Sequence, residues 1–264
     1  MRLHVQHSTV YRYESAVSRS TQYLRLTPRD SSRQRVLQWT LRTPVPATRG
    51  SDPYGNVLHV LSTELPHVEL LIEVEGVADI DDSALEEGDG LPPMIFLRPS
   101  PLADADPAMR AFAREESASD AARGSASRAW RLMERLRERM HFLPGTTDTC
   151  TTAAEAFAAG QGVCQDFTHV MLGCLRELGI PARYASGYLL TDREGHVASH
   201  AWAEVWTGTH WSGLDVANGV AADGRHLKLA VGLDYLEACP VRGVRSGGGT
   251  ERMEARALVR LADQ

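Results

Sequence analysis

Between Arg2 and about Ile80 the chain alternates apolar and polar residues with period two. The runs are RLHVQHSTVYRY, TQYLRLTP, VLQWTLRTPV, NVLHVLSTE and HVELLIEVEGV, separated by turn residues of which DPYGN at 52–56 is the strongest. Such runs bury one face only when they pair, so they predict a small antiparallel sheet or sandwich. The acidic, Gly- and Pro-rich stretch DIDDSALEEGDGLPP follows and reads as a linker. Beyond it the period changes: DADPAMRAFAREE and SASRAWRLMERLRERMHF carry helical spacing, with Trp130, Met133, Leu136 and Met140 as the apolar stripe of the second. After Ala182 the segments ARYASGYLL, AWAEVWT, HWSGLDV, LKLAVGLDY and MEARALVRL return the chain to strands, with GGG at 247–249 expected as a hairpin loop. The order of β segment, helices and sheet predicts an α+β protein with an N-terminal antiparallel β domain at 1–80, a linker at 81–93 and a helix-and-sheet core at 94–264.

Composition narrows the function. A chain of 264 residues with 43% hydrophobic and 23% charged residues is that of a folded globular protein. Its formal net charge of -6 argues against a nucleic-acid or anionic-membrane binder, since both need a cationic surface. No apolar run reaches the roughly 18 residues that span a bilayer, and the opening MRLHVQHSTVYRYES lacks a signal-peptide core, so a cytoplasmic protein is expected. The cationic side chains include one lysine only, Lys228. Cys150, Cys164, Cys174 and Cys239 contain no C-x-x-C pair and are expected as reduced thiols. No G-x-S-x-G, P-loop, dinucleotide fingerprint or calcium loop is present, so no cofactor is expected.

The segment TTAAEAFAAGQGVCQDFTHVMLGCLRELGIP holds the most informative pattern. A Thr-capped short helix ends at Gly160, and a second helix enters near Val163 or Cys164, its stripe formed by Phe167, Val170, Met171, Cys174, Leu175 and Leu178. Cys174 sits mid-stripe and reads as a small buried hydrophobe, while Cys150 and Cys239 lie in turn-like sequence. Cys164 heads the stripe at the helix N-terminus, where unpaired N–H groups and the dipole favour a thiolate and an oxyanion; a plain buried cysteine is the alternative. Downstream, His200 opens the strand HAWAEVW and Asp215 ends the strand HWSGLDV, so two adjacent antiparallel strands could deliver an imidazole and a carboxylate to one thiol. A zinc site drawn from Cys164, His196, His200 and His210 is the rival, but H-x3-H converges on a metal only on a helix, and this stretch reads as loop then strand.

Taken together, L-x-V-x-H-x-T-x-Y-x-Y at the start, YLRLTPR, DPYGN, the GVCQDF helix, SHAWAEVW, GLDVANG and VGLDYLEACPVRGV resemble the bacterial transglutaminase-like superfamily, cysteine proteases by inference that carry an N-terminal β domain. The resemblance covers nearly the whole chain. It implies a papain-like core in which Cys164, His200 and Asp215 form a Cys-His-Asp triad. Two departures stand out: DVANG replaces the usual D-P-T-N-G, implying a less rigid turn around Asp215, and Cys150 occupies a turn position that is commonly His.

Around the triad, Gln161 could lend an amide to the oxyanion, Trp202 could line the site and Tyr188 could close the thiol pocket, each with plain structure as its alternative. Asp166, in the first helical turn, reads as a cap. The expected activity is thiol-dependent amide or peptide hydrolysis through an acyl-enzyme, acting on a peptide or protein substrate. The alternatives are acyl transfer to an amine and a non-catalytic binding module.

Overall fold

The structure, a computed structural model, describes residues 1–117, 124–191 and 199–262. Its first strand, β1 (Arg2–Leu24), continues through both of the first two alternating runs, with no turn between them. Leu3, Val5, His7, Thr9, Tyr11 and Tyr13 point to the covered face, the period-two pattern that β-branched and aromatic residues favour on a pleated surface. Between Arg12 and Val17 the strand bulges. β2 (Gln34–Arg42), β3 (Thr48–Ser51), β4 (Val57–Thr63) and β5 (His67–Ile80) complete the N-terminal strands, in the order β2-β5-β1-β4-β3. β4 pairs with the last third of β1 and β5 with its first half.

A short 3-10 turn at Pro93–Leu97 leads into the core. There follow α1 (Pro107–Ser117), α2 (Ser125–Arg139), β6 (His141–Phe142), α3 (Ala153–Ala159), β7 (Gln161–Gly162) and α4 (Cys164–Glu177). The sheet then forms from β8 (Ala182–Leu189), β9 (Ser199–Trp206), β10 (Trp211–Asp215), β11 (Val220–Ala221) and β12 (His226–Gly232), with α5 (Tyr235–Ala238) after it. Its order is β11-β10-β9-β8-β12, every neighbour antiparallel. Helix α4 is buried from Asp166 to Leu175 because the other helices cover the side that the sheet does not. The buried stripe of α2 runs through Ala129, Leu132, Met133 and Leu136; the expected Trp130 lies outside it, 39% exposed, with its indole N–H donated to Glu134. No helix among the described residues is long and apolar enough to cross a membrane.

The last two strands correct the expected boundary and the expected hairpin. β13 (Val241–Gly247) pairs with β1 from Leu24 to Val17, and β14 (Glu251–Leu261) carries on along the same strand from Tyr13 to Leu3. They are two halves of one antiparallel run. Gly247, Gly248 and Gly249 all have positive φ, and the N–H groups of Ser15 and Glu14 bond to Gly248 and Thr250 across them. The glycines therefore let the strand follow the bulge of β1, a left-handed path that L side chains resist. The chain from 241 to 261, expected within the 94–264 core, thus belongs to the N-terminal sheet.

That sheet packs its covered face on the core sheet, its Leu3, Val5, Leu70 and Ile72 sharing one apolar cluster with Tyr188, Leu227 and Leu229. The 81–93 linker is packed as well: Trp211 donates its backbone N–H to Glu86 at 2.8 Å. Beside it lies a network of six charges, all buried but the half-buried Arg29. Arg183 bonds Asp89 at 2.6 Å and Glu204 at 2.7 Å, Lys228 bonds Glu204 at 2.7 Å and Glu86 at 2.8 Å, and Arg29 reaches Asp89 at 2.6 Å. Three cations meet three anions, so the charge of each buried group is compensated.

Candidate active site

The approach to α4 is built tightly. Gly160 closes α3 with φ +65 after a capping box between Thr152 and Glu155. At Gly162 a Cβ would lie 2.6 Å from the side chain of Asp166, so only glycine fits there. Asp166, at the third helical position, accepts from the Val163 N–H and the Thr147 hydroxyl, both at 2.7 Å. It caps the helix, as its position suggested, and ties it to the preceding loop. Burial raises its carboxyl above the usual range despite these bonds. Cys164 is the first helical residue and is half-buried, with its carbonyl accepting from Thr168 at 2.7 Å.

The structure brings Cys164, His200 and Asp215 together. β9 supplies His200 at its start, β10 ends on Asp215, and the two strands are neighbours in the sheet. His200 donates from Nε2 to Asp215 Oδ2 at 2.8 Å and lies close enough to the Cys164 thiol to interact with it electrostatically. With Nε2 engaged, Nδ1 is the nitrogen left for sulfur. Burial works against charge on His200, but the bond to Asp215 and the neighbouring Cys164 outweigh it and push its pKa up to about 10. Burial alone would raise Asp215; the hydrogen bonds from His200 and His226 instead hold it well below the usual carboxylate range. The turn after Asp215 is firm without the proline, because Asn218 donates its side-chain amide to Oδ2 at 2.7 Å and its backbone N–H to Oδ1 at 3.1 Å.

The supporting residues separate. Gln161 lies on β7, half-buried, and its side chain makes no hydrogen bond with the described residues, which leaves its amide available. Trp202 is buried behind the histidine, rings stacked 6.5 Å apart, in a slot bounded by Gly187 and Gly213. It backs the imidazole and does not form an open wall. Tyr188 faces the other way: its hydroxyl bonds His7 of the N-terminal sheet at 2.6 Å. Burial pulls the His7 pKa down to about 4, so that ring is neutral. The tyrosine within electrostatic range of Cys164 is Tyr184, fully buried with its ring 5.2 Å from His169.

Two residues escaped the sequence. One is Tyr184; the other is His226, which opens β12 and bonds Asp215 Oδ2 through Nε2 at 3.1 Å. Of the zinc set, His210 sits in the β9–β10 turn against Thr207, and His196 lies outside the described residues. His200, Asp215 and His226 do come within 4.8 Å of one another. A carboxylate only accepts, however, so both Nε2 atoms that face it carry protons, and neither offers a lone pair to a cation as arranged.

Residues 3–79 match the bacterial transglutaminase-like N-terminal region, and residues 110–216, which contain all three site residues, match the transglutaminase-like superfamily. The chain belongs to the transglutaminase-like superfamily. An uncharacterised protein of Mycobacterium leprae is 31% identical over 96% of both chains, and one of Mycobacterium tuberculosis is 33% identical over 92% of this chain and 87% of its own. A solved structure of a candidate cysteine protease from Cytophaga hutchinsonii superposes with a TM-score of 0.83 at 20% identity, covering 100% of this chain and 91% of that one, a likeness of fold. The superfamily's members are cysteine proteases and transamidases.

Proposed function

We propose that this chain is a thiol-dependent amide hydrolase acting on peptide or protein substrates through a Cys164-His200-Asp215 triad. The observation that carries the reading is the His200 bond to a fully buried Asp215, with the Cys164 thiol at the helix N-terminus close to the same imidazole, assembled from a helix and two strands. His200 Nδ1 takes the thiol proton, Sγ adds to the substrate carbonyl carbon, and the oxyanion faces the free N–H of Cys164 and the Gln161 amide. As the tetrahedral adduct collapses, the amine leaves with the proton from His200, giving a thioester. Water, deprotonated by the same imidazole, then releases the acid and restores the thiol. Asp215 keeps Nε2–H in place and stabilises the imidazolium throughout.

The same thioester can be resolved by an amine. Two groups of this chain are poor acceptors: the Lys228 ammonium is held by Glu86 and Glu204, and the N-terminal amine donates to the Ile80 carbonyl. Intact-mass analysis after incubation with a peptide library and a small primary amine separates the outcomes. Hydrolysis gives products heavier by one water in total, acyl transfer gives amine adducts, and Cys164→Ala should give neither. Equal turnover by Cys164→Ala would remove the triad reading, and slow, unselective alkylation of Cys164 would favour a binding module.

A further inference from the structure

His226 lies beyond the core region that matches the superfamily, yet it is as much part of the Asp215 environment as His200. Asp215 Oδ2 accepts from three donors: Asn218 Nδ2 at 2.7 Å, His200 Nε2 at 2.8 Å and His226 Nε2 at 3.1 Å. On its other side, His226 Nδ1 stands 3.1 Å from the backbone N–H of Asp223 and 3.0 Å from its Oδ1, while Arg225 pairs with that carboxylate at 2.7 Å. Trp202 lies edge-on to the ring at 5.4 Å, and the His200 ring is 6.1 Å away. The His226 side chain is 2% exposed and that of Asp215 is fully buried, so water does not dilute this competition.

Asn218 already fixes the carboxylate at both oxygens, which leaves orientation as a role His226 does not need to fill. What its N–H does is take a share of the charge on the oxygen that holds His200. We propose that His226 is a positioning residue for the triad, one that acts through Asp215 to limit how tightly the carboxylate holds the imidazolium of His200. The inference rests on the triad reading above. The charged and titratable groups that face the pair are Cys164 from α4, His200 from β9, and Asp223 and Arg225 from the turn before β12.

The test is the pH profile of Cys164 alkylation by iodoacetamide, read by mass, in wild type, His226→Phe, His226→Gln and Asp215→Asn. Phe keeps the ring and its contact with Trp202 but removes the N–H; Gln places an amide N–H near the same point. With the sharing donor gone, Asp215 holds the His200 proton harder, so the alkaline limb of His226→Phe should move up by half a pH unit or more and return to the wild-type position in His226→Gln. Asp215→Asn, which deletes the shared charge, should move it down. An unmoved or lowered limb in His226→Phe, or a Gln variant that behaves like Phe, overturns the inference while leaving the triad standing. An unmoved limb in Asp215→Asn overturns the triad reading and this inference with it. Should His226→Phe fail to fold, histidine-labelled wild-type protein decides by 15N NMR: the inference requires His226 Nε2 to carry a proton through neutral pH, and a bare Nε2 refutes it.

Discussion

Glu204→Gln isolates one charge of the buried network. Glu204 accepts from Arg183 Nε and Lys228 Nζ, both at 2.7 Å, and its side chain is 6% exposed. Removing the charge leaves three cations facing two anions under the 81–93 segment, since Arg183 and Lys228 keep Asp89 and Glu86. Taking one partner out of a buried pair costs about 3–5 kcal/mol, and because each cation retains a carboxylate the low end, about 3 kcal/mol, applies. For a chain of this size a kcal/mol moves Tm by about 2–4 °C, so the loss should be about 6–12 °C. The assay is thermal unfolding at neutral pH, with Arg12→Ala as the control, because the Arg12–Glu69 pair is exposed and worth about 0–1 kcal/mol. Adding salt should erase little of the Glu204 effect, since buried pairs are weakly screened. A Tm within about 2 °C of wild type, or a loss that salt abolishes, would refute the view that these charges hold the 81–93 segment on the core sheet.

At limiting iodoacetamide and pH 6, Cys164 should be alkylated before the exposed Cys150, with Cys174 protected because burial pushes its thiol up to about 12; peptide mapping that finds Cys150 first contradicts the pairing with His200. Cys164→Ala should cost about 1 kcal/mol or less, since it removes one small group from the rim of the helix core, and a Tm loss beyond about 5 °C would mark the residue as structural. The raised pKa of His200 gives stability that is complete below about 6.5 and lost as pH rises toward about 10. Thermal melts should therefore fall more steeply between pH 7 and 10 in wild type than in His200→Gln, and parallel curves would count against the His200–Asp215 bond.

Local rules carried the sequence reading a long way where one residue decides one geometry. The capping threonine and Gly160 announced the ends of α3 and with them the start of α4, and so the position of Cys164. His200 and Asp215 were legible because each sits at an end of a short alternating strand. The rest depended on covering both sides of a sheet. Glu204 in AWAEVW and Lys228 in LKLAV occupy the polar positions of alternating strands, where one face is ordinarily left to solvent, but the 81–93 segment folds back over them with Glu86 and Asp89. His226 was silent for a related reason: β12 pairs with β8 at the far edge, and only the assembled sheet brings its first residue to the end of β10. Tyr188 and Tyr184 lie four residues apart on one strand, yet the first packs with the N-terminal sheet and the second with the helices, a difference that alternation does not announce.

The pairing of β1 with β14 also sets an order of events during synthesis. Leu3 lies opposite Leu261, so β1 leaves the ribosome and then waits for a partner made about 250 residues later. At about 5–20 residues per second that wait is roughly 13–50 s, during which β1 has β4 and β5 on one edge and bare backbone on the other. An 11-residue stretch of unpaired N–H and C=O groups is a template for any passing strand. Arg12, Glu14 and the bulge after Arg12 sit on that waiting strand, where charge and irregularity oppose pairing with a second nascent chain.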